Sequence, residues 1–178
     1  MIEKKYNRKN PSKKRKILVL LRIALITAGV IYLLIFLNGL FTEKEVEIYF
    51  STADAMYLQA EKRELTGEDI YREIAAELSR GPDNKSLRKT IPQEVELIDY
   101  QIKDGLLILN YNRALVENHW GGSTGERLTV YSIVNSYTSL ENIDQVKILI
   151  EGKEIETLAG HMDLTSSFVF NDSLVLQK

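Results

Sequence analysis

The chain has 178 residues, 23 Lys and Arg against 25 Asp and Glu, and no cysteine, which suits a short anchor and one domain and excludes disulfides, a lipid-modified cysteine and a thiol nucleophile. Charge is uneven: nine bases and a single acid, Glu3, precede Phe41, so fourteen bases face twenty-four acids from Thr42 onward, a net charge near −10. So acidic a domain repels the phosphate backbone, and nucleic acid is excluded as its partner.

Residues 1–16 hold eight of those bases: Lys4, Lys5, Arg8, Lys9, Lys13, Lys14, Arg15 and Lys16. Residues 17–41, ILVLLRIALITAGVIYLLIFLNGLF, would extend about 37 Å as a helix rising about 1.5 Å per residue, enough for a bilayer core of roughly 30 Å. Their one charge, Arg22, lies near the end from which a long side chain snorkels to the headgroups. Bases remain on the cytoplasmic side. The expected arrangement is therefore a single-pass protein of the cytoplasmic membrane, with a basic inner tail (1–16), a transmembrane anchor (17–41) and an extracytoplasmic domain (42–178). A cleaved signal peptide fits less well, because the apolar run is long and small-x-small spacing is weak in IFLNGLFTEKE. The outer domain, about 135 residues, is long enough to stand on its core alone.

Within that domain EVEIYFS alternates, with Val46, Ile48 and Phe50 on one side and Glu45, Glu47 and Tyr49 on the other, as in a half-buried strand. MYLQAEKREL reads as a second strand whose charges suit a sheet edge. TGEDIYREIAAELSRGP predicts a helix: Thr66 as N-cap with Asp69 three residues on, Tyr71, Ile74, Ala75 and Leu78 on one face, and Gly81-Pro82 as the stop. EVELIDYQIKDGLLILNYN predicts a hairpin around Asp104-Gly105. Val95 and Leu97 are in one phase, Tyr100 and Ile102 in the other, and a bulge near Ile98 reconciles them. The uniformly apolar run Leu106 to Leu109 reads as a central strand. QVKILIEGKEIETL gives a further strand on Val146, Ile148 and Ile150, turned by Gly152-Lys153, and SSFVFNDSLVLQK ends the chain with two short apolar runs. The order predicts an α+β fold: a small mixed or antiparallel sheet with two helices packed on one face, preceded by the transmembrane helix.

Between the hairpin and the next strand lies NHWGGSTGERLTVYSIVNSYT. A phosphate loop needs Lys and Ser or Thr after its last glycine, but Glu126 and Arg127 follow Gly125, and a carboxylate there repels phosphate. A dinucleotide fingerprint needs G-x-G-x-x-G in a βαβ frame, and neither the spacing nor the frame is present. Ser123 and Glu126 instead form S-x-x-E, the capping box, in which the hydroxyl accepts the N3 amide and the carboxylate reaches back. Val130, Ile133, Val134 and Tyr137 then supply an apolar helical face. Gly121 and Gly122 let the chain turn tightly under Trp120.

No catalytic, cofactor or metal residue is assigned. His119 and His161 are the only histidines, and His161 with Asp163 offers two ligands where a metal site needs three or four. The structural reading is that the His161 ring donates to a backbone carbonyl and that Asp163 caps a turn in the same loop. The acid pairs Glu68 with Asp69 and Glu154 with Glu156 read as a first helical turn and a wet strand face. Asn135, beside Val134, is expected to satisfy a neighbouring loop in the core, with a partner contact as the alternative. Phe168 and Phe170 are expected to pack on the domain's own helices or to dock a partner.

GGSTGERL, SIVNSYTSLENIDQVKILIEGKEI and GHMDL, the last beginning at Gly160, resemble the GerMN domains of spore-forming bacteria, and VEIYFSTADAMYLQAEKREL, ELSRGP and IPQEVEL follow the same order. Ser167 stands where the family commonly has proline, and the lipid-anchor cysteine of many members is absent. The resemblance implies an extracytoplasmic α+β unit, similar to ring-building modules of secretion-like machines and without agreed catalytic residues. It also implies partners among envelope or sporulation proteins. Self-association and cell-wall binding complete the expected reading of a non-enzymatic assembly module on a membrane. Two alternatives are an envelope enzyme using His119 or His161 and a small-ligand sensor, for which Trp120 and tyrosines would have to line a pocket.

Overall fold

A computed structural model describes residues 13–40 and 43–177. The chain divides into two compact units between Thr42 and Glu43. In the first, α1 (Lys13–Leu40) contains a stretch, Arg15–Phe36, of 22 residues with mean hydropathy 2.5. It is long and apolar enough to cross a membrane. Within that stretch Leu, Ile and Val are exposed on every side of the helix, so residues 15–36 carry no polar stripe of the kind a soluble surface helix has. Thr27 returns its hydroxyl to the Ala24 carbonyl at 2.9 Å, which hides that polar group. The basic run before Lys13 lies outside the described residues.

The second unit is α+β. β1 (Lys44–Thr52) pairs antiparallel with β2 (Leu58–Leu65) and, at its far end, with β3 (Leu87–Arg88), in the order β2-β1-β3. β4 (Leu97–Lys103) and β5 (Leu106–Tyr111) form the expected hairpin, with Asp104 and Gly105 both at positive φ, 49° and 79°. That geometry is the tight turn whose twist matches the strands. The register slips between Leu97 and Asp99, the bulge at Ile98 that the change of phase demands. β6 (Gln145–Ile150) pairs parallel to β5, and β5 is central in the order β4-β5-β6.

The strands thus form two three-stranded sheets where one was expected. The two long helices of the domain, α2 (Ile70–Arg80) and α4 (Ser123–Thr138), each touch both sheets, so they form a shared layer in a single core. α4, preceded by the short α3 (Ala114–Glu117), is the crossover that the parallel β5/β6 pairing requires. A βαβ frame is therefore present after all, although the glycine spacing of a nucleotide fingerprint is not. The second apolar surface arises on β1. Its alternation buries Val46, Ile48 and Phe50, but Tyr49 on the opposite face is also only 4% exposed, covered together with Leu58, Leu128 and Leu174.

α2 buries Ile74, Ala75 and Leu78 as the spacing requires. It begins at Asp69 rather than Thr66. The Asp69 side chain accepts from the Arg72 amide at 3.2 Å, while Thr66 donates its amide and hydroxyl to the Glu73 carboxylate. Gly67, at φ 75°, turns the chain between the two. β2 is an edge strand, yet its Arg63 is only 7% exposed. The guanidinium lies 2.6 Å from Glu61 and 3.2 Å from Glu77, contacts Asp83, and sits over the Phe50 ring. Three carboxylates on β2, α2 and the following loop are what allow a buried cation there.

Candidate functional site

The candidate residues gather around α4. Glu126 does not cap the helix. The N-cap is Gly122, at φ 80° and ψ 149°, without a side-chain bond, and Ser123 is already the first helical residue. The Glu126 side chain points inward and is fully buried. Oε1 accepts from the Leu158 amide at 2.8 Å, the Ala159 amide at 3.0 Å and the Thr157 hydroxyl, and Oε2 accepts from the His161 amide at 2.8 Å. Burial alone would push this carboxyl up. The hydroxyl and three amides outweigh it and hold the carboxyl below its ordinary value of 4.5. One buried charge thus organises the whole 157–161 turn, Gly160 included.

Farther along α4, Asn135 is also fully buried. Its Nδ2 donates to the Asn171 carbonyl at 3.2 Å and its Oδ1 accepts from the Asn171 amide at 2.9 Å. The side-chain amide thereby stands in for a neighbouring strand and fixes the C-terminal segment. Next to it, Ser136 Oγ accepts from the Tyr49 amide of β1 at 2.9 Å. The segment itself ties both sheets together. Phe168 exchanges two 2.8 Å backbone bonds with Val146 on β6, and the Leu176 amide donates to the Leu58 carbonyl on β2 at 2.8 Å. Phe168 packs edge-on to Tyr131 at 5.9 Å, Phe170 edge-on to Tyr49 at 5.7 Å, and Val169 between them faces solvent. The aromatics of the tail therefore rest on the domain's own core.

The His161 ring, expected to bond a carbonyl, is exposed and has no side-chain hydrogen bond among the described residues; only its amide is used. It lines an open groove of about 490 Å³ with Ser123, Thr124, Arg127 and Tyr131. Asp163 accepts from the Thr165 amide at 2.9 Å and hydroxyl at 2.7 Å, closing its turn. Gly152 stands apart: the turn is Glu151-Gly152, not Gly152-Lys153, with φ of 49° and 75°, and the Gly152 amide donates to Asn110 at 2.7 Å.

His119 is part of the frame. Nδ1 accepts from the Gly121 amide at 2.9 Å, so the proton resides on Nε2, which faces Thr129 Oγ1 at 3.0 Å; Thr129 in turn donates to the Thr90 carbonyl at 2.5 Å. Burial holds the ring below its ordinary value of 6.5 and keeps it neutral. Beside it, Trp120 walls a second cleft of about 310 Å³. Its lining is hydroxyls, small residues and bases, not tyrosines. Among the described residues no three His, Asp or Glu side chains converge as a metal-holding group. Sequence reasoning missed Arg63, Thr157 and Thr129. The first two are recognisable only once the carboxylates they meet are brought near.

Comparison with known proteins places this architecture. The Germane family, described as sporulation and spore germination, matches residues 47–156. The tandem GerMN domains of the sporulation protein GerM from Bacillus subtilis are similar with a TM-score of 0.60 at 19% identity, over 75% of this chain and 46% of that one. The chain thus spans less than half of that tandem structure. The first GerMN domain of the same protein gives 0.58 at 19% identity, over 74% and 98%. A putative lipoprotein from Clostridium perfringens gives 0.52 at 26% identity, over 77% and 95%. No curated protein matches the chain. The family match runs from β1 past β6 and covers more than half of the 178 residues. It takes in both sheets, α4 and Glu126, and on that ground the chain belongs to the Germane family of sporulation and spore-germination domains.

Proposed function

We propose that the chain is a membrane-anchored assembly module of sporulation, germination or the cell envelope, displayed on the outer face of the cytoplasmic membrane and acting by binding rather than catalysis. The observation that carries the reading is the joining, in one chain, of a basic tail and a span of 22 apolar-rich residues to a Germane-family domain. Both histidines are poor candidates for a reaction. His119 is held between Gly121 and Thr129, and the exposed His161 ring has no carboxylate to orient it among the described residues. Holding every copy in one membrane raises the local concentration, so weak contacts suffice for assembly.

Photo-crosslinking of the full chain tests this. A photoreactive residue is placed in turn at Met56, Ile98 and Val169, which are 57%, 44% and 59% exposed. In membranes of sporulating cells at least one position is expected to give a discrete adduct, and the same protein diluted in detergent none. A chain that stays monomeric and without adducts at all three positions in those membranes contradicts the assembly role.

A further inference from the structure

We propose that the Trp120 cleft is a binding site for an anionic glycan, a chain of pyranose rings with carboxylates at intervals. Trp120 is the chain's only tryptophan, and the residue is 54% exposed. It is nevertheless held in place. The ring lies so close over Gly125 that a Cβ there would sit 3.2 Å from Cδ1, and His119, itself fixed by a hydrogen bond accepted at Nδ1 and one donated from Nε2, stacks on it at 5.7 Å. A rigid aromatic face left open to water costs apolar exposure without serving the core, and such faces are what ligands anchor on. The cleft beside it, about 310 Å³, lies within the range of small-ligand sites. Ala53 and Ala55 from the β1–β2 turn, the cations Arg88 and Lys89, and Thr124 are among its walls.

Charge selects the ligand. The domain is strongly acidic, and its other arginines are matched: Arg63, Arg72, Arg80 and Arg113 each pair with a carboxylate. Among the described residues, Arg88 and Arg127 have no carboxylate within ion-pair distance. Arg88 lines the Trp120 cleft and Arg127 the neighbouring groove, and Thr124 contributes to the lining of both. The Arg88 guanidinium is steadied by the Lys85 and Leu87 carbonyls, each at 3.0 Å, and retains donors for a planar carboxylate. A densely charged polyphosphate or nucleic acid would be repelled by the rest of the domain. A sugar chain presents an apolar ring face to the indole, hydroxyls to Thr124 and a sparse carboxylate to each arginine.

The site deepens the proposed assembly role and rests on it only for access to the wall; binding itself is read in solution. The full chain in detergent is titrated calorimetrically with a β-1,4-linked tetrasaccharide alternating N-acetylglucosamine and N-acetylmuramic acid. Chitotetraose, with the same rings and no carboxylate, and a short polyglutamate peptide are the comparisons. Saturable binding of the charged tetrasaccharide is expected, with chitotetraose weaker and polyglutamate silent. Trp120→Ala should weaken it by about tenfold or more. Arg88→Gln should abolish the preference over chitotetraose while leaving the melting temperature unchanged. No binding of either sugar by the folded chain, equal or better binding of polyglutamate, or undiminished binding by a folded Trp120→Ala variant would each overturn the site. Sugar binding without membrane crosslinks would instead remove the assembly role and leave the site standing.

Discussion

Glu126→Ala is expected to destabilise the domain by about 2–4 kcal/mol, since it leaves three amides and a hydroxyl of the 157–161 turn without their shared acceptor. Loss of an ordinary N-cap would cost only about 1 kcal/mol, and Ser123→Ala, which removes no cap hydrogen bond here, should be near neutral. Glu126→Gln is expected to fall between, because its amide nitrogen turns a donor toward at least one of the converging N–H groups. The carboxyl also sets an acid limit. Its pKa in the folded domain lies below the unfolded value of 4.5. The stabilisation is therefore complete above that value and is lost as pH falls through the folded pKa. Thermal melts of the three variants between neutral pH and pH about 3 check this: the gap between wild type and Glu126→Ala should narrow only in acid. A gap that stays constant throughout would remove the charge from the explanation.

Phe168→Asp is expected to cost about 2–4 kcal/mol, the loss of a large, partly buried side chain at the margin of the core with a charge put in its place. Phe168 leans on Tyr131 and packs, partly buried, against the main core, and its backbone pairs with Val146 of β6. Phe170→Asp should cost less, because Phe170 covers only the smaller cluster around Tyr49 and Leu58. Val169→Asp, at an exposed position between them, should leave the melt unchanged. A Phe168→Asp variant that melts like wild type but loses its membrane crosslinks would return the tail to a docking role.

Local rules made much of this fold legible. The Asp104-Gly105 turn, the bulge at Ile98 and the face of α2 follow from backbone sterics and side-chain phase, which act within a few residues. The division into two sheets did not follow, because parallel pairing of β5 with β6 depends on where α4 carries the chain. Ser123 and Glu126 satisfied the S-x-x-E pattern and still formed no capping box: two glycines at positive φ start the helix one residue earlier. A signal for the other outcome was present. Glu126 lies four residues before Val130 and seven before Ile133, on the face that points into the core. A carboxylate in that phase is buried only where donors converge on it, and those donors come from a turn 31 to 35 residues farther on. Arg63 was obscured for the same reason. Its strand looked like a solvated edge, and of the three acids that neutralise it only Glu61 is on that strand, the other two arriving from α2 and the following loop.

The placement of the domain is tested most directly by cysteine accessibility, which the cysteine-free chain makes clean. Single cysteines are introduced as Asn10→Cys in the basic tail and Glu64→Cys at an exposed position on β2, and protoplasts are treated with a membrane-impermeant maleimide. Residue 64 is expected to be labelled on intact protoplasts, residue 10 only after lysis, and both on chains of the full length. Labelling of residue 10 on intact protoplasts with residue 64 protected, or a shortened product that has lost residue 10, would contradict an uncleaved anchor that holds the domain outside.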